Sequence, residues 1–250
     1  MEALKAGILS EITKLLLKKK SVMLLVFSAL IPILSLILVS FFQSGLGINP
    51  INAIDFPITV LGYFTGLFLP LFVVMAAADL FSGEIGERTI KIALLRPITR
   101  FKVYMSKIIS IAIYISVYLG IVYIVSTVLG LFLEGRENIL QAILKNFAAY
   151  IVAIVPMLLL GIAAAFISQF FKSSSGTLVI SVLLFIIIKI AAVAVPDISG
   201  LTPISNMDWH LLWLSGSVSI SKLFSVFMFM FSYSIIFLAS GYLMFERKEF

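Results

Sequence analysis

Six predominantly apolar stretches, each about the length needed to cross a lipid bilayer, constrain this chain more than any other feature. They run over residues 22–42, 58–80, 103–132, 147–171, 177–195 and 223–245. A hydrocarbon core about 30 Å thick is crossed by roughly 20 apolar residues in a helix, whereas a spanning strand needs only about ten with strict alternation. These runs are too long and too uniformly apolar for a barrel. The fold class read from them is an all-α membrane protein, one transmembrane domain over residues 1–250. Composition agrees, since 62% of the residues are hydrophobic and only 12% charged, where a soluble domain carries about a quarter charged. The connecting segments are too short to hold a second folded domain.

The first run follows Lys18, Lys19 and Lys20. It is longer than the roughly 7 to 15 apolar residues of a secretory signal, and no small-x-small site follows, so it reads as a retained helix. Upstream, Leu4, Ile8, Ile12 and Leu15 recur at helical spacing, with Lys5, Glu11, Lys14 and Lys18 mostly on the other side. This predicts an amphipathic helix over residues 1–20 lying at the membrane surface, its lysines toward anionic headgroups.

The net charge of +6 is a matter of topology. Fourteen Lys and Arg residues fall in the N-terminal segment, the 88–107 block, the fourth loop and the tail, against three (Arg136, Lys145 and Lys222) in the alternate loops. By the positive-inside rule both termini and the 81–107 block face the cytoplasm of a multi-pass protein of the plasma membrane. Nucleic acid is therefore not expected as a partner, while membrane lipids are. With no cysteine there is no disulfide or thiolate site.

Residues 84–100, "EIGERTIKIALLRPITR", place dense charge between two apolar runs. Glu84 and Arg88, and Glu87 and Lys91, are four apart with the acid first, the favourable order for helical ion pairs. They predict a short helix over residues 83–95. Pro97 ends it by disfavouring helical geometry at Arg96, and Thr99 is placed to cap the third span. Ile90 and Leu94 supply apolar anchors on a helix too short to cross anything. Such an element suits docking to a partner, through apolar anchors within a charged rim.

The longer segment "AAADLFSGEIGERTIKIALLRPITRFKVYMSK", residues 76–107, resembles the stretch after the second span of ABC-2 type permeases, the membrane subunits of ATP-binding cassette exporters. Asp79, Glu84, Glu87, Thr89, Leu94, Leu95, Pro97, Arg100 and Lys107 follow the family's order, and Arg88 stands where the family usually has glycine. The resemblance implies that residues 83–95 are a coupling helix seated in a nucleotide-binding ATPase subunit, with Glu84, Glu87, Arg88, Thr89, Ile90, Leu94, Leu95, Pro97 and Arg100 at the contact. It also implies export, and a second permease copy or a related permease to complete the transporter. The chain lacks a Gly-x-x-x-x-Gly-Lys-Ser/Thr phosphate loop. It is accordingly expected to bind no cofactor, ATP and Mg belonging to the ATPase subunit, and to have no catalytic residue.

Other polar residues bear on rival readings. Lys189 lies inside the fifth span, a possible functional site at membrane depth or a side chain that snorkels to the outer headgroups. Asp79 ends the second span, within reach of Arg88 or Arg100 as an interfacial anchor or a transmitter of motion. Pro32, Pro70 and Pro156 interrupt spans, and Gly62 and Gly66 form a small-xxx-small pair suited to close helix packing. Residues 196–216 suggest a short outer re-entrant element, with Trp209 and Trp213 at the interface and with Asp197, Asp208 and His210 as hydrated loop residues and not a metal site. An intramembrane protease or lipid-modifying enzyme would need converging polar groups in the spans. An ATP-independent carrier or channel would need broken or polar helices in matched halves.

Overall fold

The computed structural model describes residues 2–46, 52–90, 98–133, 138–195, 202–215 and 218–248. Its regular elements are all helical. We label them α1 (Glu2–Leu17), α2 (Lys19–Leu46), α3 (Phe56–Gly86), α4 (Arg100–Gly130), α5 (Ile139–Ser168), α6 (Ser174–Ala194), α7 (Trp209–Leu214) and α8 (Ile220–Arg247). α2, α3, α4, α5, α6 and α8 are each long and apolar enough to cross a membrane. The chain therefore goes back and forth six times. α1, the end of α3, the start of α4, the α5–α6 turn and the end of α8 all gather at one end, called here the basic end.

α3, α4 and α5 form the centre. About half of the most apolar stretch of α3 and of α5 is buried, against 17% for α2 and α6 and 6% for α8. The small side chains of "MAAAD" in α3 and "GIAAAF" in α5 explain the close approach. At Gly161 an added Cβ would lie 2.8 Å from Ile111 and 3.2 Å from Val73. Aromatic rings fill the rest, with Phe72 edge-on to Tyr118 and Phe81 packed between Tyr104 and Phe245. Several hydroxyls inside the bundle are satisfied within their own helix, as suits a lipid surround. Thr65 donates to the Leu61 carbonyl at 2.8 Å, Ser82 to Ala78 at 2.8 Å and Ser110 to Ser106 at 2.7 Å. Longer links tie helix ends together: Tyr118 donates to the Ser21 carbonyl, Tyr150 to that of Pro57, and Asn146 to that of Ile54.

α3 is not uniformly α-helical. It widens into π-helical turns at Phe64–Phe68 and Asp79–Gly83, single-turn insertions of a kind often found at functional sites. The first immediately precedes Pro70, which has no N–H to give the carbonyl of Gly66. Gly62 and Gly66 do not make the close packing their spacing suggests. An added Cβ at either would meet nothing within 4 Å.

Helix α3 also continues past the apolar run, to Gly86, because its last turn is buried: Glu84 is only 7% exposed. Gly86 is pressed against the carbonyl of Lys172 in the α5–α6 turn, where any Cβ would collide with backbone. At the opposite end, a 3-10 turn at Pro203–Asn206 leads to α7. There the expectation for His210 and Trp209 needs correcting. His210 is fully buried instead of hydrated, and Trp209 is 4% exposed and stacked near Phe227, leaving Trp213 as the exposed indole. Burial lowers the His210 pKa from its ordinary value, against the opposing pull of Asp208 and the Met207 backbone. Among the described residues no group of three or more His, Cys, Asp or Glu side chains is arranged to hold a metal ion.

Candidate functional site

At the basic end four charged side chains close a ring. Lys14 Nζ lies 2.8 Å from Glu11 Oε1 and 3.1 Å from Glu84 Oε1, and Lys107 Nζ lies 3.0 Å from Glu11 Oε2 and 2.6 Å from Glu84 Oε2. Acid and base alternate around it, each carboxylate uses both oxygens, and the net charge is zero. Lys107 is completely buried, and Glu11 and Glu84 nearly so. The ring joins three elements: α1 supplies Glu11 and Lys14, the last turn of α3 supplies Glu84, and the second turn of α4 supplies Lys107.

The local structure explains how α1 reaches this position. Its stripe of Leu4, Ile8 and Ile12 is half-buried, and Leu15 is 1% exposed. The stripe turns toward α4, where Gly7 allows Ser106 within 3.4 Å of where a Cβ would sit and Ser110 reaches the Ile8 carbonyl. Glu11 lies on the edge of this stripe and so faces inward, not toward headgroups as its lysine neighbours suggested. A second pair reinforces the joint. Lys18, just after α1, lies 3.3 Å from Asp79 in the second π turn of α3. Asp79 therefore pairs with neither Arg88 nor Arg100. Arg100 instead donates to the Glu246 and Lys248 carbonyls at the end of α8, the latter at 3.0 Å.

Burial opposes the charge of Glu11, but Lys107 and Lys14 outweigh it and hold the carboxyl below the ordinary carboxylate range. Lys14 is likewise opposed by burial, yet bonding and attraction from Glu11 and Glu84 raise it above an ordinary lysine. The signs follow by linkage. The depressed acid contributes stability that is present above its unfolded-state value and lost as pH falls through the folded one. The raised base contributes stability that is present below its unfolded-state value and lost as pH rises through the folded one. Thermal stability in detergent is expected to be flat near neutrality and to fall below about pH 4.5, the ordinary range of a glutamate. Glu11→Gln should shrink that acid-side loss.

The residues assigned to docking divide into two groups. Glu87, Arg88, Thr89 and Arg100 are exposed, whereas Glu84 and Ile90 are buried, Ile90 at 1% exposure. Leu94, Leu95 and Pro97, with the rest of the helix expected over residues 83–95, fall outside the described residues. Within the described part, that helix is interrupted after Gly86 by a turn over residues 87–89, and Ile90 is again helical. Arg88 takes φ +58°, and the Thr89 N–H returns to the Glu84 carbonyl at 3.1 Å. The Glu84–Arg88 helical pair expected from spacing does not form, because the left-handed residue breaks the helix and Lys107 and Lys14 take the carboxylate. Left-handed geometry suits glycine and strains a residue with a Cβ by roughly 1–2 kcal/mol. Arg88→Gly is expected to stabilise the fold by up to about 1 kcal/mol, less than the full strain because glycine is freer when unfolded; thermal unfolding in detergent measures this.

Sequence reasoning passed over Glu11, Lys14 and Lys18 as members of the site. The available signal was Glu11, a carboxylate set among lysines next to the stripe that packs inward.

The comparisons with known proteins fit this architecture. The family model described as "ABC-2 family transporter protein" matches residues 8–189, from α1 through Lys189 of α6. A stretch of 65 residues, 26% of the chain, is 38% identical to "Uncharacterized protein YhcI" of Bacillus subtilis (strain 168), of which it spans 21%. The family match covers well over half of the chain and includes the whole charged site, so this six-span membrane protein belongs to the ABC-2 transporter family.

Proposed function

We propose that this chain is the permease subunit of an ABC-2 exporter, and that its basic end faces the cytoplasm and is driven by a separate ATPase subunit. The carrying observation is the closed ion ring. It fixes the exposed turn at residues 86–89 to both α1 and α4, through Glu84 on one side and Glu11 and Lys107 on the other. A push on that turn is transmitted rigidly to two helices, since Glu11, Glu84 and Lys107 are buried while Lys14 is exposed, and pulling out one of the buried three costs several kcal/mol.

In this reading ATP and Mg sit on the ATPase subunit. Glu87, Arg88 and Thr89 form the described part of the docking surface, with Leu94, Leu95 and Pro97 beyond it. Arg100 steadies the end of α8, and Ile90 anchors the block to the core. Two permease copies, or one copy and a related permease, make the complete transporter. The basic residues at this end support the cytoplasmic orientation, and the sparse burial of α2, α6 and α8 leaves room for a second copy. The test is affinity purification from native membranes in mild detergent. An ATPase bearing a phosphate loop is expected to co-purify; recovery of the chain without one contradicts the reading.

A further inference from the structure

Lys189 pairs with no acid among the described residues. It lies fifteen residues into α6 from Ser174 and five from its end at Ala194, about 22 Å and about 8 Å along the helix axis. Its ammonium donates to the Gly66 carbonyl at 3.1 Å and lies 5.9 Å from the Phe185 ring centroid. That carbonyl is the one left without an α-helical donor by Pro70. One of three N–H groups is thereby used, and the side chain remains exposed. A cation held at this depth is costly without a counter-charge.

The same ammonium borders a groove of about 690 Å³ between α2, α3 and α6. Phe27, Ile31, Leu34 and Leu38 form its long wall on α2, and Gly62 and Gly66 its floor on α3. Ser35, its hydroxyl-bearing residue on α2, already donates to Ile31. The wall from Phe27 to Leu38 is about 16 Å long, so the groove is an apolar channel with one cation on its side. The carboxylates of the spans, Asp79, Glu84 and Glu246, all lie at the basic end, and Asp79 and Glu84 are held there by Lys18, Lys14 and Lys107.

We propose that this groove binds a long-chain carboxylic acid, its carboxylate on Lys189 and its alkyl chain along α2. Charge complementarity selects an acid, and the apolar wall selects a chain. A carboxylic acid also reaches this depth in its neutral form, whereas a phosphodiester headgroup remains ionised and must be desolvated as a charge. The site lies within one copy and far from the basic end, so it stands or falls independently of the ATPase reading.

The test uses the purified full chain in nanodiscs of zwitterionic lipid. The probe is a long-chain carboxylic acid carrying a diazirine on its chain, and the control is the alcohol of the same chain. The acid is expected to label the Phe27–Val39 stretch at least about tenfold more than the alcohol, because a hydrogen bond to a charged group is worth that factor or more. Lys189→Met should abolish the preference and Lys189→Arg should keep it. Gly62→Leu, which adds bulk where nothing lies within 4 Å, should reduce labelling while the thermal midpoint holds. Equal labelling by acid and alcohol overturns the proposal, as does a preference that survives Lys189→Met. Competition by phosphatidylglycerol as strong as that by unlabelled acid also overturns it, as does a disulfide between two copies across the groove with cysteine at position 34.

Discussion

Replacing Lys107 by methionine is expected to destabilise the protein by about 3–5 kcal/mol, the usual cost of removing one partner from a buried ion pair. The substitution nearly conserves volume, so packing alone predicts a far smaller loss, under about 1.5 kcal/mol. The difference comes from charge. Lys107 is wholly enclosed and bonds to both Glu11 and Glu84, and without it two buried carboxylates share only Lys14. Neutralising the acids as well, in the triple variant Lys107→Met, Glu11→Gln and Glu84→Gln, should recover much of the loss, since a buried ion cluster often adds little over an uncharged replacement. Thermal inactivation in detergent distinguishes the cases. A single variant that loses less than about 1 kcal/mol would mean that water, not Lys14 and Lys107, solvates the acids.

The second large effect concerns the partner. Glu87→Lys and Leu94→Asp are each expected to weaken binding of the ATPase subunit by about tenfold or more, the effect of altering a central interface residue, with thermal stability unchanged. Glu84→Lys should also weaken binding, but by a different route. Its carboxylate is buried in the ion ring, so the thermal midpoint falls with it. Measuring subunit affinity and stability on the same three preparations separates docking from architecture. Undiminished binding in both Glu87→Lys and Leu94→Asp counts against the docking role.

The six spans were legible because length and uniform hydropathy suffice to mark a membrane helix. Their ends were less so: α5 begins at Ile139 instead of near 147, and α3 runs on to Gly86. In both cases polar residues at helix ends find partners that hydropathy does not encode, Asn146 on the Ile54 carbonyl and Glu84 on two lysines. Pairing was the least legible feature. Local spacing offered Arg88 to Glu84, but the chosen partners lie 23 and 70 residues away, and Glu11 meets Lys107 across 96. Only the packing of α1 on α4 brings them together. Arg88 was legible in hindsight. The resemblance implied a glycine at this position, and the chain turns there with positive φ, here with an arginine.

Lys189 and Asp79 illustrate the opposite limit. The sequence marks both as charges in awkward places, but a one-dimensional reading has no way to see that a proline four residues after Gly66 leaves a carbonyl for the first, or that the residue following α1 supplies Lys18 to the second.

The most direct measurement on the central claim is site-specific photo-cross-linking in native membranes, with the reactive side chain at position 87 in the exposed turn and, as control, at exposed Val128 near the opposite end of α4. The account predicts a cross-link from position 87 to a subunit with a phosphate loop and none from position 128. An ATPase that co-purifies with the chain but is never captured from position 87 would contradict it.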